Sequence, residues 1–205
     1  MYRNIVFDLG GVVVNYSPKD FLTDLFFHER TEKRLYDAVF GSPEWLRLDK
    51  GDLTWQQASA IFLKRGKEKD LGFEMQALLD EWQSMLTTRK ATVVLMRLLK
   101  KKGFNLYYLS NISRDVLDML SQRNFWPLFS GGVASYEVQT LKPEPEMYQA
   151  LLNKYNLVPE ETIFIDDNEE NADAAFTVGV TGILFNGVPN LCKTMVEYGV
   201  DLVDT

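Results

Sequence analysis

Three short apolar runs in this chain each stop at a polar, chemistry-bearing residue, and that repetition constrains the fold more than any other feature. Asn4 to Phe7 ends at Asp8, Phe104 to Leu109 at Ser110 and Asn111, and Thr162 to Ile165 at Asp166 and Asp167. Short apolar runs bounded by turn signals read as buried strands, and strands buried on both faces belong to parallel sheets. From Ala91 onward helical and strand patterns alternate, as crossover helices between parallel strands require. A helix over Ala91 to Leu98 runs into Lys100, Lys101 and Lys102, cations that suit a helix C-terminus, followed by Gly103 as left-handed cap. Further helices are expected over 113–123, 146–155 and 172–178, with strands over 132–135 and 181–185. The fold class is α/β, with about five parallel strands.

Between the first two strands the rhythm changes. From about Ser17 to Thr88 the pattern is helical and amphipathic, with Phe21, Leu22, Leu25 and Phe26 on one stripe and Leu78, Leu79, Trp82 and Met85 on another. Gly41-Ser42-Pro43 and Lys50-Gly51-Asp52 mark loops, and Thr54 is placed to cap a helix starting at Trp55. Four or so short helices account for this stretch as an inserted lobe. With 205 residues the chain has room for one α/β domain and such a lobe.

Composition narrows the partners. Asp and Glu number 29 against 22 Lys and Arg, a net charge of −7, which argues against binding a nucleic-acid backbone and favours a small metabolite. No stretch reaches membrane-spanning length, and the apolar run of MYRNIVFDLGG is broken by Asp8 before it could serve as a secretory signal. The single cysteine, Cys192, has no disulfide partner within the chain. A reducing, cytoplasmic setting is expected. The sequence leaves the oligomeric state open.

Open parallel sheets bind ligands at the carboxyl ends of their strands. Asp8, Ser110-Asn111, Lys142 and Asp166-Asp167 all fall there, and capping alone, which explains any one of them, does not require their convergence. Asp8, Asp166 and Asp167 offer hard oxygen ligands for Mg²⁺. Lys142 offsets part of their charge, and three carboxylates beside a phosphate make a divalent cation almost obligatory. Ser110 and the Asn111 amide can donate hydrogen bonds to phosphoryl oxygens. Asp8 is then the candidate nucleophile, of the carboxylate kind that forms an aspartyl-phosphate.

FDLGG, LSN, LKPEPEMY and FIDDNEEN, in this order, resemble the four motifs of the haloacid dehalogenase superfamily, and they span the core. The resemblance implies a Rossmann-like catalytic core over residues 1–14 and 89–205 and an inserted helical cap over 15–88. It implies a Mg²⁺-dependent phosphatase acting on a small phosphorylated metabolite. In that pattern Asp8 is the nucleophile, the Gly10 carbonyl and Asp167 hold the metal, and Asp166 supports it. Ser110, Asn111 and Lys142 hold the phosphate, and Asn171 orients the last loop. DLGG and KPEP resemble the branch acting on sugar phosphates such as glucose 1-phosphate. The chain departs from the pattern at Gly10, where related phosphatases carry the aspartate that protonates the leaving oxygen. A carboxylate from the cap is one substitute, with Glu44, Asp49 and Asp52 placed in what reads as a loop region.

The alternatives are a catalytically silent binding or regulatory protein, a mutase, and a metal-free 2-haloacid dehalogenase, which has no use for adjacent carboxylates at Asp166-Asp167. His28 reads as structural, and Trp45, Trp55 and Trp82 read as cap core, with Trp45, flanked by loops, the one placed to touch substrate.

Overall fold

The computed structural model describes residues 1–202. Strand β1 (Asn4–Phe7) is followed by five helices: α1 (Pro18–Phe26), α2 (Glu29–Ala38), α3 (Pro43–Lys50), α4 (Trp55–Glu68) and α5 (Gly72–Glu81). The chain continues as α6 (Lys90–Lys101), β2 (Asn105–Ser110), α7 (Arg114–Ser121), β3 (Gly131–Ala134), α8 (Ser135–Val138) and α9 (Pro145–Tyr155). It closes with β4 (Thr162–Asp166), α10 (Glu169–Ala174), β5 (Thr181–Leu184) and α11 (Val188–Glu197).

The five strands form one parallel sheet in the order β3-β2-β1-β4-β5. β1, β2 and β3 advance in one direction and β4 returns to the far side of β1, so the strand order reverses between β1 and β4. That crevice is where open α/β sheets bind ligands. Register then decides which side chains meet. Phe7 pairs with Ile165, so Asp8 and Asp166 emerge side by side one residue further on. Phe7 also pairs with Tyr108, which brings Ser110 to the same edge from β2. The central strands are buried on both faces, with Ile5 and Phe7 in one apolar cluster and Val6, Tyr107 and Phe164 in the other.

Helices α1 to α5 are inserted between β1 and β2, where the sequence pattern places a helical lobe. The two connections to it run side by side, with Asn15 N–H donating to Thr87 O at 2.8 Å and Arg89 N–H to Val13 O at 2.9 Å. Thr54 caps α4 as expected, its hydroxyl accepting from Gln57 N–H at 3.3 Å while the Gln57 side chain accepts from Thr54 N–H at 2.9 Å. Gly103 takes the left-handed conformation after α6, with φ +90°.

The stretch carrying Glu44 and Asp49 is helix α3, not loop. The two loop signals bracket it: the Ser42 hydroxyl caps its start, Pro43 stands at its first position, and Gly51 ends it at φ +86°. The helix expected over 172–178 begins earlier, at Glu169, because the Asn168 side chain accepts from the N–H groups of Glu170 and Asn171. Its last turn, Ala175–Val178, is a 3₁₀-helix. Helices α8 and α11 have no counterpart among the sequence expectations.

Candidate active site

A cavity of about 740 Å³ lies between the carboxyl edge of the sheet and the inserted helices. Asp8, Gly10, Ser110, Asn111, Lys142, Asp166, Asp167 and Asn171, the whole set singled out in the sequence core, line it together.

Lys142 is the hub. Its Nζ lies 2.9 Å from Asp8 Oδ1 and 2.6 Å from Asp166 Oδ2, and the lysine is almost fully buried. A buried ammonium has to be paired. Two carboxylates do that here, and their charges raise its pKa against the opposing effect of burial. The Lys142 backbone is fixed separately. Its N–H donates to Asn111 Oδ1 at 2.8 Å, and its carbonyl accepts from Asn111 Nδ2 at 3.0 Å. The Asn111 carboxamide therefore acts as a clamp between the β2 and β3 loops. Ser135 makes a second clamp, its hydroxyl accepting from Ile112 N–H at 2.9 Å and donating to the Asp49 carbonyl on α3.

Asp8 accepts from Leu9 N–H at 2.7 Å, also on Oδ1. Lys142 Nζ shares that oxygen, and Ser110 also bonds the Asp8 carboxylate. Burial pushes the Asp8 carboxyl up to about 7 and the Asp166 charge adds to this, against the lowering effect of Lys142 and Ser110. Asp166 is held from all sides. Its carboxylate accepts from Asn168 N–H at 2.8 Å and from Asn171 Nδ2 at 3.2 and 3.3 Å, besides Lys142. Asn171 thus orients this loop by binding Asp166. Asp167 is the more exposed member, and burial and Asp166 raise its pKa.

Carboxylate oxygens of Asp8, Asp166 and Asp167 lie within 4.8 Å of one another. Three carboxylates against one lysine leave an excess of two negative charges, and these hard oxygen donors fit Mg²⁺. Gly11, beside them, is a part of the site that the sequence pattern does not mark as such. It holds φ +74°, and a Cβ built on it would overlap the Asp167 carboxylate. Its only visible signal is the doubling of glycine after Asp8-Leu9.

The inserted helices contribute the opposite wall. Trp45 lines the cavity, together with Tyr16, Phe40 and Trp82, so two of the tryptophans read as cap core reach it. Of the three cap carboxylates considered, only Asp49 lines it. Burial and the charge of Asp8 hold the Asp49 carboxyl well above its ordinary range, with the Ser113 backbone amide bonded to it. Glu44 is paired with Arg65 at 2.8 Å, and Asp52 sits exposed after α3. His28 caps α2 by accepting from Thr31 N–H at 3.2 Å, a structural role. Lys100 at the end of α6 donates to the Ser130 hydroxyl at 2.9 Å.

Among known proteins, this chain is 28% identical over 186 residues to the sesquiterpene phosphatase astK of Aspergillus oryzae, covering 89% of each. It is 25% identical over 195 residues to the D-ribitol-5-phosphate phosphatase of Bacteroides thetaiotaomicron, covering 83% of this chain and 85% of the relative. A haloacid dehalogenase family enzyme of the same bacterium, solved in complex with magnesium and inorganic phosphate, superimposes with a TM-score of 0.65. It is 26% identical, and the match covers 90% of this chain and 94% of that one. The haloacid dehalogenase-like hydrolase family matches residues 2–179. Fold, acidic cluster and sequence agree: the chain belongs to the haloacid dehalogenase-like hydrolases.

Proposed function

We propose that the protein is a Mg²⁺-dependent phosphatase that hydrolyses a small phosphomonoester through an aspartyl-phosphate on Asp8. The observation that carries this reading is the Lys142 bridge between Asp8 and Asp166 inside an acidic cluster. A nucleophilic carboxylate has to approach a dianionic phosphate, and the cluster offers a cation pair to make that possible: a buried lysine and a divalent metal position.

The Asp8 carboxylate attacks phosphorus and the ester oxygen leaves with its bonding pair. Water then attacks the same phosphorus and releases phosphate and free Asp8. Lys142 and Ser110 neutralise and bond the phosphoryl oxygens, and Asn111, which also lines the cavity, keeps Lys142 in place through its carboxamide. Asp8, Asp167 and the Gly10 carbonyl would hold Mg²⁺, with Asp166 supporting them. When bound, the ion supplies Lewis-acid stabilisation of phosphoryl charge.

Gly10 offers no proton to the departing oxygen. Asp49 is the carboxyl of the cap that lines the cavity, and it serves in this reading as the proton carrier. Residues 15–88 act as a lid that excludes water and selects substrate, over a core of 1–14 and 89–205. Among the described residues no helix is long and apolar enough to cross a membrane. A cytoplasmic setting completes the reading.

The test is hydrolysis of p-nitrophenyl phosphate with Mg²⁺ and with chelator. The reading expects turnover that stops on chelation and returns with Mg²⁺; full activity in chelator would point to metal-free chemistry instead.

A further inference from the structure

We propose that the substrate of this site is the monophosphate of a hydrophobic alcohol, its hydrocarbon body held against an aromatic roof, rather than a polyol phosphate. This rests on the phosphatase reading and adds the chemistry of the leaving group.

The cavity has two unlike halves. Its floor, at the strand ends, carries nearly all the charge. Its roof is built from Phe40, Trp45 and Trp82, whose rings pack at 4.8 Å between Phe40 and Trp45 and 5.0 Å between Trp45 and Trp82. On the core side Ile112 and Val116 continue the apolar wall, and Leu46, 56% exposed, stands at the mouth. The rings are locked by mutual packing and by Phe62 and Trp55 behind them, so the roof is rigid rather than adaptable.

The polar groups among the cap residues of this lining are few. Tyr16 accepts from the Trp45 indole N–H and keeps its own O–H, Asp49 takes the Ser113 amide, and Tyr36 is the other cap hydroxyl in the lining. No cap lysine, arginine, asparagine, glutamine, serine or threonine lines the cavity among the described residues. A polyol phosphate brings several hydroxyls, and each one desolvated without a partner weakens binding by about tenfold. Each methylene placed against the roof strengthens binding about fourfold. A volume of about 740 Å³ is within the ordinary range for a small-molecule site.

The experiment measures binding of n-alkylphosphonates, from ethyl to decyl, to the wild-type protein in Mg²⁺ by calorimetry, beside a hexitol phosphonate. The dissociation constant should fall by roughly threefold to fourfold per methylene over the early members. The hexitol phosphonate should bind at least about tenfold more weakly than hexylphosphonate. Leu46→Ser, at an exposed helical position that does not threaten folding, should shrink the increments of the longer chains. A flat dependence on chain length, or tighter binding of the hexitol compound, overturns the inference. Hydrolysis of p-nitrophenyl phosphate is followed separately. Its absence alongside a clear chain-length gradient would remove the phosphatase reading and leave the ligand class standing.

Discussion

Lys142 Nζ sits 2.9 Å from Asp8 Oδ1, a buried ion pair between the residue that attacks in the proposed reaction and the cation that makes attack possible. Removing one partner of such a pair strands the other. Lys142→Met should lower stability by about 3–5 kcal/mol in chelator, since Asp8 and Asp166 then lie buried without a cation. Added Mg²⁺ should recover part of the loss. Chemical denaturation with and without the ion measures both, and an unchanged midpoint would contradict the pairing.

Two adjacent glycines should behave differently. At Gly11 a side chain would need φ +74° and would overlap Asp167, so Gly11→Ala should weaken Mg²⁺ binding at least about tenfold and destabilise the fold by roughly 1–3 kcal/mol. At Gly10 the φ is outside the left-handed region, and a Cβ meets Tyr16 Cβ at 3.5 Å, ordinary contact. Gly10→Ala should keep its stability within about 0.5 kcal/mol of wild type. Melting curves and Mg²⁺ titrations of the pair check this.

Much of this site was legible because parallel strands buried on both faces appear as apolar runs, so the polar residues that end them stand out. Asp8, Ser110 and Asp166 each stand at the end of such a run, and register explains their meeting. The inserted lobe was legible from its stripes and from Thr54, although it holds five α-helices where four or so were expected. The roles of Gly11 and Tyr16 were not, since each depends on a contact across the cleft that no local pattern encodes. The Asn111 carboxamide gave no sign that it grips Lys142, 31 residues away. Helix α8 is one short turn ended by Gln139 at φ +55°, too brief for periodicity to register.

The Gly10 gap and Asp49 together predict a leaving-group dependence. Asp49→Asn should reduce turnover of alkyl phosphates by about 10²–10⁴-fold and of aryl phosphates far less. The backbone at Gly10 admits a side chain, so Gly10→Asp should raise rates on alkyl phosphates and do little for aryl ones. Plots of log rate against leaving-group pKa for the three proteins test this. Identical slopes in wild type and Asp49→Asn would assign the proton to another group.

Burial raises Asp8 to about 7 from an ordinary 3.8, and raises Asp167 and Asp49 in the same direction. A carboxyl raised in the folded state contributes stability below its ordinary pKa and loses it as pH rises through the folded value. Metal-free protein should therefore lose stability between about pH 4 and 8 through these groups. Mg²⁺ neutralises the charge that forms, so its stabilising shift should grow over the same window. Thermal unfolding across pH, with Mg²⁺ and with chelator, reads the difference; a larger Mg²⁺ shift at low pH would contradict the assignment.

The central claim is that Asp8 carries the phosphoryl group, and turnover of Asp8→Asn in saturating Mg²⁺ tests it most directly. With folding verified, hydrolysis of p-nitrophenyl phosphate should fall by roughly 10⁴-fold or more, the scale on which loss of a nucleophile acts. Activity within about tenfold of wild type, in a preparation free of other phosphatases, would contradict it.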